Sequence, residues 1–423
     1  MKTILLLTYT FPPLSSGGTP VVLNLSKYLP KNDWKVIVIT VENPKGMKTD
    51  NSLLESIPDN LQVIRVPHGK GKTDSTGTAG TTKSENPLIK LAKFIVHNYI
   101  LIPDRVITWR KQVIPVLKST IAKEKPQAIM SFGPHHSLHL IAMDAAAESY
   151  TPIIPFFGDL WLADSNVNWP SKVNRFIESL LERKVVKKAR AILATTEHST
   201  GYFVNKYVNF CPPVHVVENA YDPDRIKITT EPTENEGFLV AGWTGNFFAN
   251  HKPAHLLEGL KLFFERNLNS KLIVKMAGSI DKESLNLLQK HPLRNKVTHH
   301  GHLKWNEVPA FQKSCDLLIG YITPRPFSKL KNSSKTAEYL MSGRSILGIV
   351  PEGAMAERIR KLGRGYIVKP DAEEIAIRLE NIEYQWRTSS LEKPVNIRAI
   401  EEKFSAVNVM QKLAGFLDEM VGP

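Results

Sequence analysis

Short runs of apolar residues, each bounded by glycine, proline or polar residues, recur along the chain and define its predicted elements. The first half contains the runs TILLLTY, WKVIVITV, QAIMSFG, PIIPFFG and AILATT. Between them lie segments such as TPVVLNLSKYLP, in which apolar residues recur at helical spacing. Short apolar strands that alternate with helices are typical of a parallel sheet covered on both faces. We therefore predict a buried strand over residues 3–10 and an α/β domain in the first half.

The alternation stops at a polar, proline-bearing stretch and then begins again. FLVAGWTG, KLIVKMAG, KVTHHGH, DLLIGYI, SILGIV and GYIVK are the apolar runs of the second half. A chain of 423 residues also exceeds what one hydrophobic core usually supports. We predict an α/β protein with two Rossmann-like, doubly wound parallel-sheet domains that face each other across a cleft at the carboxyl ends of their strands. The expected limits are 1–221 for the first domain, 222–236 for a linker, 237–400 for the second domain, and 401–423 for a helix that packs back toward the first domain.

Composition narrows the class of protein and its partners. The hydrophobic content of 42% and the charged content of 23% are ordinary for a globular protein, but the net charge of +14 indicates an anionic partner. Nucleotide phosphates and an anionic membrane surface both fit this charge, whereas no recognisable nucleic-acid-binding module is present, so no nucleic acid partner is expected. The two cysteines, Cys211 and Cys315, suit a reducing compartment. Because no run of 18 apolar residues occurs, we expect a cytoplasmic protein that contacts a membrane only at its inner face.

The loop after the first strand, FPPLSSGG, is the first candidate for ligand binding. Gly17 and Gly18 lie just before a predicted helix, where the absence of side chains lets a phosphate approach the backbone. The loop lacks the GxGxxG spacing of dinucleotide-binding proteins, so a dehydrogenase is not expected. An ordinary turn is the alternative reading.

A second candidate lies in the stretch NSSKTAEYLMSGRSILGIV. Ser333 or Ser334 is placed to cap a helix, and Lys335 and Glu338 are three residues apart and share one helical face. An ammonium beside a carboxylate suits a nucleoside diphosphate, with the first group binding phosphate and the second binding ribose hydroxyls. The alternative is an ordinary ion pair on the surface of the helix.

No metal site is predicted. The DPD sequence of Asp222 and Asp224 imitates a metal-binding DxD, but it lies in the linker rather than at the end of a sheet strand. The histidine pairs at spacing four lack the glutamate that a zinc-protease helix carries after its first histidine.

Several motifs in order resemble one family. FPPLSSGGTPVVLNLSKYL, PIIPFFGDLW with ERKVVKKARAILATTEHST, VHVVENAYD, GWTGNFFANHKPAHLLEGL, VTHHGHLKWNEVPAFQKSCDLLIGY and SSKTAEYLMSGRSIL are similar to successive motifs of the GT-B glycosyltransferases of the retaining family 4 type. The resemblance covers nearly the whole chain. It implies a donor nucleotide-sugar bound to the second domain and an acceptor bound to the first.

The resemblance also implies roles for individual residues. Lys335 and either His251 or Lys252 would neutralise the diphosphate, and Glu338 would bind the ribose. The donor-binding set implied in this way is Gly17, Gly18, Gly245, Gly301, His302, Ser334, Lys335 and Glu338. The catalytic set is Asp159, His139, His251 and Lys252. Enzymes of this type need no metal or other cofactor, because basic residues stabilise the leaving diphosphate.

The chain departs from the family pattern at three positions. Many relatives carry a glutamate that faces the sugar eight residues before the ribose glutamate, where this chain has Leu330. Gly158 replaces the arginine of the RDPW motif, and Ala220 replaces the glycine that follows Asn219. The identity of the donor sugar is therefore not implied by the resemblance.

On the acceptor side, the stretch SFGPHHSLHLI places three histidines after a predicted strand. His139 best matches a histidine of the family, and His135 and His136 lie beside it in sequence. A core or helix-capping histidine is the alternative. Asp159 is either a partner of the acceptor hydroxyl or a helix cap.

Residues 86–125 bear on the location of the acceptor. They contain eight basic residues against Asp104 and Glu124, interleaved with aliphatic and aromatic positions. Such a surface suits an anionic membrane and a lipid-linked acceptor, and the alternative is a solvated face above a core helix.

The expected function is that of a retaining, metal-independent, hexosyltransferase-like glycosyltransferase. It would move a sugar from a nucleotide-sugar to a hydroxyl of a glycan or lipid-linked acceptor, in the biosynthesis of cell-envelope polysaccharide. A GT-B-fold nucleotide-sugar epimerase is the alternative enzyme, and a non-catalytic nucleotide-sugar-binding protein is the alternative outside catalysis.

Overall fold

The alternating pattern folds into two separate parallel sheets in the computed structural model of the chain. The structure describes residues 1–42, 47–69, 95–227, 235, 237–247, 250–391 and 397–422. The predicted loop at residues 69–87 lies outside these ranges except for Gly69. Within the described residues, no helix has both the length and the apolar character needed to cross a bilayer.

The first sheet has seven parallel strands in the order β3-β2-β1-β4-β5-β6-β7. Its strands are β1 Lys2–Thr8, β2 Trp34–Val41, β3 Gln62–Val66, β4 Ala128–Gly133, β5 Ile153–Phe157, β6 Ile192–Ala194 and β7 Val214–Val216. The α-helices that follow these strands are α1 Thr19–Tyr28, α2 Arg110–Glu124, α3 Ser137–Ala146, α4 Lys172–Lys188 and α5 Glu197–Lys206. Shorter 3-10 or π segments occur at Leu29–Asn32, Asn51–Ser56, Val96–Ile100 and Arg105–Trp109.

The second sheet has six parallel strands in the order β10-β9-β8-β11-β12-β13. Its strands are β8 Leu239–Asn246, β9 Leu272–Ser279, β10 Val297–His299, β11 Leu317–Tyr321, β12 Ser345–Ile349 and β13 Gly365–Val368. Its helices are α6 Ala254–Arg266, α7 Lys282–Leu288, α8 Val308–Lys313, α9 Lys335–Met341, α10 Ala354–Lys361 and α11 Ala372–Arg387, and they are followed by α12 Ile397–Phe404 and α13 Ala406–Val421. Two 3-10 turns lie at Leu293–Asn295 and Ser328–Leu330.

Burial on both faces explains the apolar runs of the central strands. Leu5 of β1 lies in register with Ile37 on one side and Ile129 on the other, and all three are fully buried. The neighbouring Leu6 points to the opposite face and is equally buried. The predicted strand over residues 3–10 is confirmed from Thr3 to Thr8. It ends there because the Thr8 hydroxyl accepts a hydrogen bond from the Thr10 amide at 3.0 Å, in place of a sheet partner.

Tertiary contacts divide the chain into two units. The first unit is formed by Met1–Ala163, Asn168–Glu218 and Val409–Pro423, and the second by Asp164–Val167 and Asn219–Asn408. In the first unit, Asp418 of the last helix accepts hydrogen bonds from Lys2 Nζ at 3.0 Å and from Trp34 Nε1 at 3.1 Å. The end of the chain is thereby held against the start of β1 and β2.

Helix α4 buries two carboxylates in addition to Val185 and Val186. Glu178 accepts a hydrogen bond from Trp161 Nε1 at 2.7 Å, and Glu182 accepts from the Leu162 amide at 3.1 Å. Glu182 is fully buried and also accepts from Lys206 Nζ at 2.6 Å and from the Tyr207 hydroxyl. These two glutamates therefore fix the loop that follows β5, because they bind groups on successive residues of that loop.

Replacing the buried Glu182 carboxylate is expected to destabilise the first unit. Glu182→Gln keeps the shape of the side chain but leaves Lys206 and the hydroxyl and amide donors around a neutral group. The expected loss is about 3 kcal/mol in the free energy of unfolding. Denaturant titration of the variant measures the loss, with Glu197→Gln on the exposed first turn of α5 as the control. Equal, small changes in the two variants would contradict the structural role of Glu182.

Candidate functional site

At the carboxyl edge of the first sheet, three loops approach so closely that side chains are excluded. Gly18 caps the start of α1, and a Cβ on it would lie 2.8 Å from Phe132 Cε1 at the end of β4. A Cβ on Gly158, at the end of β5, would lie 2.8 Å from the carbonyl oxygen of Gly133. Gly17 is exposed beside Gly18. The glycines of the opening loop and of the loop after β5 therefore line the same edge of the sheet.

His139 is part of the wall behind this edge. Its side chain is fully buried, and its Nδ1 lies 2.8 Å from the Ser131 hydroxyl. Its ring packs against Phe157 at a centroid distance of 4.5 Å. Burial lowers the pKa of His139 well below its ordinary value, so the ring is neutral. Among the described residues, no group hydrogen bonds its Nε2.

A second neutral histidine directs a ring nitrogen to the same place. His136 stacks on Trp161 at 4.9 Å, and burial lowers its pKa to about 3, against the opposing effect of the nearby Asp159 charge. A Cβ on Gly133 would lie 3.3 Å from His136 Nδ1 and 3.0 Å from His139 Nε2. The structure thus brings His139 and His136 together, with the half-buried Asp159 beside them. Two neutral imidazole nitrogens at one point can hydrogen bond a hydroxyl or a water molecule.

The carboxyl edge of the second sheet is also built from glycines, at the ends of three neighbouring strands. The Gly278 amide donates to the Gly301 carbonyl at 2.6 Å. Gly278 has φ of +124°, and a Cβ on it would lie 1.5 Å from the Gly245 carbonyl oxygen. No other residue type fits at position 278. Gly245 and Gly301 therefore lie at one edge of the sheet: Gly245 is buried, with the Trp243 ring 2.5 Å from the position of its absent Cβ, whereas a Cβ on Gly301 would meet no atom within 4 Å.

Lys335 supplies a buried positive charge at this edge. Its Nζ donates to the Thr244 carbonyl at 2.9 Å and lies 3.0 Å from the position of a Cβ on Gly245. Burial lowers the pKa of Lys335 to about 8, although the neighbouring Glu338 favours the charged form. In the described part of the chain, no carboxylate forms an ion pair with Lys335. An ammonium held in this way can bind an anion.

His251 and Lys252 point to different places. His251 Nδ1 lies 2.9 Å from the Thr323 hydroxyl. Burial, together with the nearby charges of Lys331 and Lys335, lowers the pKa of His251 to about 4. Lys252 instead forms an exposed ion pair with Glu283 at 3.0 Å. Of the two residues that the sequence left open, His251 is therefore the one that lies near Lys335.

Glu338 is bound by an arginine that the sequence analysis did not assign. Arg225 donates to the Glu338 carboxylate at 2.6 Å and to the Trp305 carbonyl at 3.0 Å. Its guanidinium carbon lies 3.5 Å from the centroid of the Trp305 ring. Both charged side chains are largely buried, and Gln312 Nε2 lies 3.4 Å from the second carboxylate oxygen. Lys335 and Glu338 are thus not paired with each other, as the ion-pair alternative required.

The remaining predicted residues lie at the margin of this edge. His302 is exposed next to Gly301, where φ is +68°. Ser334 is the N-cap residue of α9, but its side chain makes no capping hydrogen bond. The Ser333 hydroxyl instead accepts from the Lys335 amide at 3.3 Å. Of the two serines proposed as caps, Ser333 therefore makes the contact.

Leu330, the position at which many members of the resembled family carry a glutamate, is followed by a charged residue. Leu330 is half-buried, and the next residue, Lys331, forms an ion pair with Asp164 at 2.7 Å. Asp164 belongs to a four-residue segment that packs with the second unit, together with Ser165, whose carbonyl accepts from Arg325 at 2.8 Å. Sequence reasoning missed Lys331 and Arg225 because their carboxylate partners, Asp164 and Glu338, lie more than 100 residues away along the chain.

No protein-family model and no curated protein sequence matches the chain. Solved structures do resemble it. A sucrose-phosphate synthase from Thermosynechococcus elongatus has a TM-score of 0.66 at 13% identity, with 99% of both chains covered. Anabaena HepE, solved in complex with UDP and glucose, has a TM-score of 0.68 at 14% identity over 99% of this chain and 100% of its own. A UDP-GlcNAc 2-epimerase from Methanocaldococcus jannaschii has a TM-score of 0.53 at 13% identity over the same shares.

At these identities the likeness concerns the fold. The two parallel-strand sheets with flanking helices are those of the GT-B type, with two Rossmann-like domains. The predicted fold class is therefore confirmed.

The buried Arg225–Glu338 pair is expected to show strong coupling in a double-mutant cycle. Arg225→Met leaves a buried carboxylate without its cation and should cost about 3 kcal/mol, while adding Glu338→Gln should recover much of this loss. Denaturant unfolding of the four proteins gives the coupling energy. The exposed Arg266–Glu373 pair, at 2.6 Å, is the matched control and should couple by less than about 1 kcal/mol. Similar coupling energies for the two pairs would contradict the assignment.

Proposed function

We propose that this protein is a retaining glycosyltransferase. It moves a hexosyl group from a nucleotide-sugar to a hydroxyl of a glycan or lipid-linked acceptor. The observation that carries the proposal is the ammonium of Lys335, which donates to the Thr244 carbonyl beside Gly245 at the carboxyl edge of a Rossmann-like sheet. Parallel sheets of this kind bind nucleotides at that edge.

The donor is proposed to bind along the second sheet. Lys335 and the neutral His251 would contact the diphosphate, and the base would lie near Gly301 and His302. Glu338 would bind the ribose hydroxyls, in which case the ribose competes with Arg225 for the carboxylate. Structures of HepE contain UDP, glucose or UDP-glucose, and this supports a uridine nucleotide as the first donor to test.

The chemical step is proposed to be a front-face attack that retains anomeric configuration. The acceptor oxygen bonds to the anomeric carbon on the face from which the diphosphate departs, and an oxygen of the leaving β-phosphate takes the acceptor proton. Lys335 would stabilise the negative charge that develops on the diphosphate, so no metal ion is needed for that purpose. On the first unit, Gly17 and Gly18 would leave room for the donor. His139 and Asp159 would orient the acceptor hydroxyl.

The acceptor is proposed to belong to cell-envelope polysaccharide synthesis at the cytoplasmic face of a membrane. The net charge of +14 supports a location at an anionic surface. Residues 86–94 of the predicted basic surface lie outside the described ranges. In the part that is described, Ile95, Tyr99 and Ile100 are exposed and Arg105 and Lys111 lie nearby in sequence.

A transfer assay tests the proposal. UDP-, GDP- and ADP-hexoses are incubated with the protein and a glycolipid extract, and sugar incorporation, nucleotide release and anomeric configuration are measured. We expect nucleotide release that depends on the acceptor and a product of retained configuration, both lost in Lys335→Met. Conversion of the donor without any acceptor would favour the epimerase. Donor binding without transfer or hydrolysis would favour the non-catalytic alternative.

The affinity for a nucleoside diphosphate is expected to fall as the pH rises above about 8. With its pKa lowered to about 8, Lys335 is charged below that pH and neutral above it in the unliganded protein. Bound diphosphate favours the ammonium and raises its pKa, so binding takes up a proton. Affinity should then fall by up to about tenfold per pH unit. His251, with a pKa of about 4, is neutral throughout this range.

Calorimetric titration with UDP at a series of pH values measures this dependence. Lys335→Met should bind more weakly and lose the dependence. Lys252→Met is the control and should keep it, because the Lys252 ammonium is paired at the surface with Glu283. A pH dependence that follows Lys252 instead would refute the assignment of the diphosphate to Lys335.

A further inference from the structure

Helix α4 of the first unit presents an apolar stripe to solvent. Val173, Phe176, Ile177 and Leu180 are 62%, 62%, 37% and 50% exposed. Their spacing of three, four and seven residues places all four on one face of the helix. Single exposed apolar residues are common on protein surfaces, but four on one helical face mark an interaction surface.

The first three turns of this helix are the reverse of ordinary amphipathicity, whereas its C-terminal part buries Val185 and Val186 in the usual way. Its inward positions include the buried residues Asn174, Glu178 and Glu182, which face the unit's interior, while the apolar stripe faces outward. The inward polar groups have a structural role, because the two glutamates accept hydrogen bonds from the loop after β5. The outward apolar residues contribute little to the core. Their presence is therefore not explained by the stability of the unit.

The charge of the helix identifies the chemistry of the partner. The basic residues of α4 are Lys172, Arg175, Arg183, Lys184, Lys187 and Lys188. The two acidic residues are both buried, so the exposed charge of the helix is entirely positive. At 100° per residue, Lys184 and Lys187 continue the face of the apolar stripe by one and two further turns. The partner must therefore offer apolar material and negative charge together.

We propose that α4 docks on the surface of an anionic lipid bilayer. The helix would lie in the plane of the interface, with Phe176 and its apolar neighbours among the upper acyl chains and the lysines at the phosphate headgroups. A second copy of the chain fits less well, because a two-fold contact through α4 would bring two sets of six basic residues together. This surface differs from residues 86–125, and its docking does not depend on the proposed chemistry.

Sedimentation with phosphatidylcholine vesicles, with and without phosphatidylglycerol, tests the inference on the full chain without a nucleotide. The protein should bind the anionic vesicles and be released by salt. Phe176→Ser should lower the partition coefficient by roughly tenfold, because a half-exposed aromatic side chain no longer enters the interface. Lys184→Gln with Lys188→Gln should weaken binding and reduce its salt dependence. The control is Ile377→Ser on α11, a helical position that is 46% exposed in the second unit, and it should bind like the unmodified protein.

Three results would overturn the inference. The first is the absence of binding to anionic vesicles. The second is full vesicle binding by Phe176→Ser together with loss of vesicle binding in Ile100→Ser, which would assign docking to residues 86–125 instead. The third is a dimer in light scattering that Phe176→Ser dissociates, without vesicle binding. Equal thermal midpoints of the variants exclude unfolding as the cause. Transfer to a water-soluble acceptor should be unchanged in Phe176→Ser, so a failure of docking and a failure of the proposed function are distinguishable.

Discussion

The hydrogen bond from Lys335 Nζ to the Thr244 carbonyl is the interaction on which the candidate donor site depends. It joins the first turn of α9 to the end of β8, and the Tyr339 hydroxyl, which accepts from the Thr244 amide at 2.9 Å, joins them a second time. The ammonium is thereby held next to Gly245, where burial lowers its pKa to about 8. A buried cation with no carboxylate partner in the described residues costs free energy, and a bound anion recovers it. The same bond thus fixes local structure and creates affinity for a diphosphate.

In the first unit, the buried charged groups that fix local structure are carboxylates rather than an ammonium. Glu178 and Glu182 of α4 turn inward and hold the loop that carries Asp159 and Trp161. Burial raises the pKa of Glu178 to about 7, so its ionisation is one cost of this arrangement. Because the polar groups of the helix are used inside, its outer face carries apolar and basic residues. The orientation of α4 thus has two consequences. It positions the loop after β5, and it exposes the face that we propose to contact a membrane.

The central strands were predictable because burial on both faces leaves continuous apolar runs such as those of β1, β2 and β4. The edge strands β3 and β7 were not, since they are only half-buried and their sequences, QVIRV and VHV, carry no such run. For the site, residue type was sufficient to select Lys335, Glu338, His139 and the glycines. Partners were not predictable, because Arg225 is 113 residues from Glu338 and pairs with it only through the fold.

By itself, the sequence determined the α/β class, the two-domain organisation and the residue types available to bind a phosphate. These follow from periodicity and composition, which are local properties. The tertiary structure decided which charges face which partners. It placed His251 near Lys335, whereas Lys252 pairs with Glu283. It also paired Glu338 with Arg225 and directed the two glutamates of α4 into the interior. The physical reason is that burial and pairing of charges depend on neighbours distant in sequence, and these are set only when the sheets are assembled.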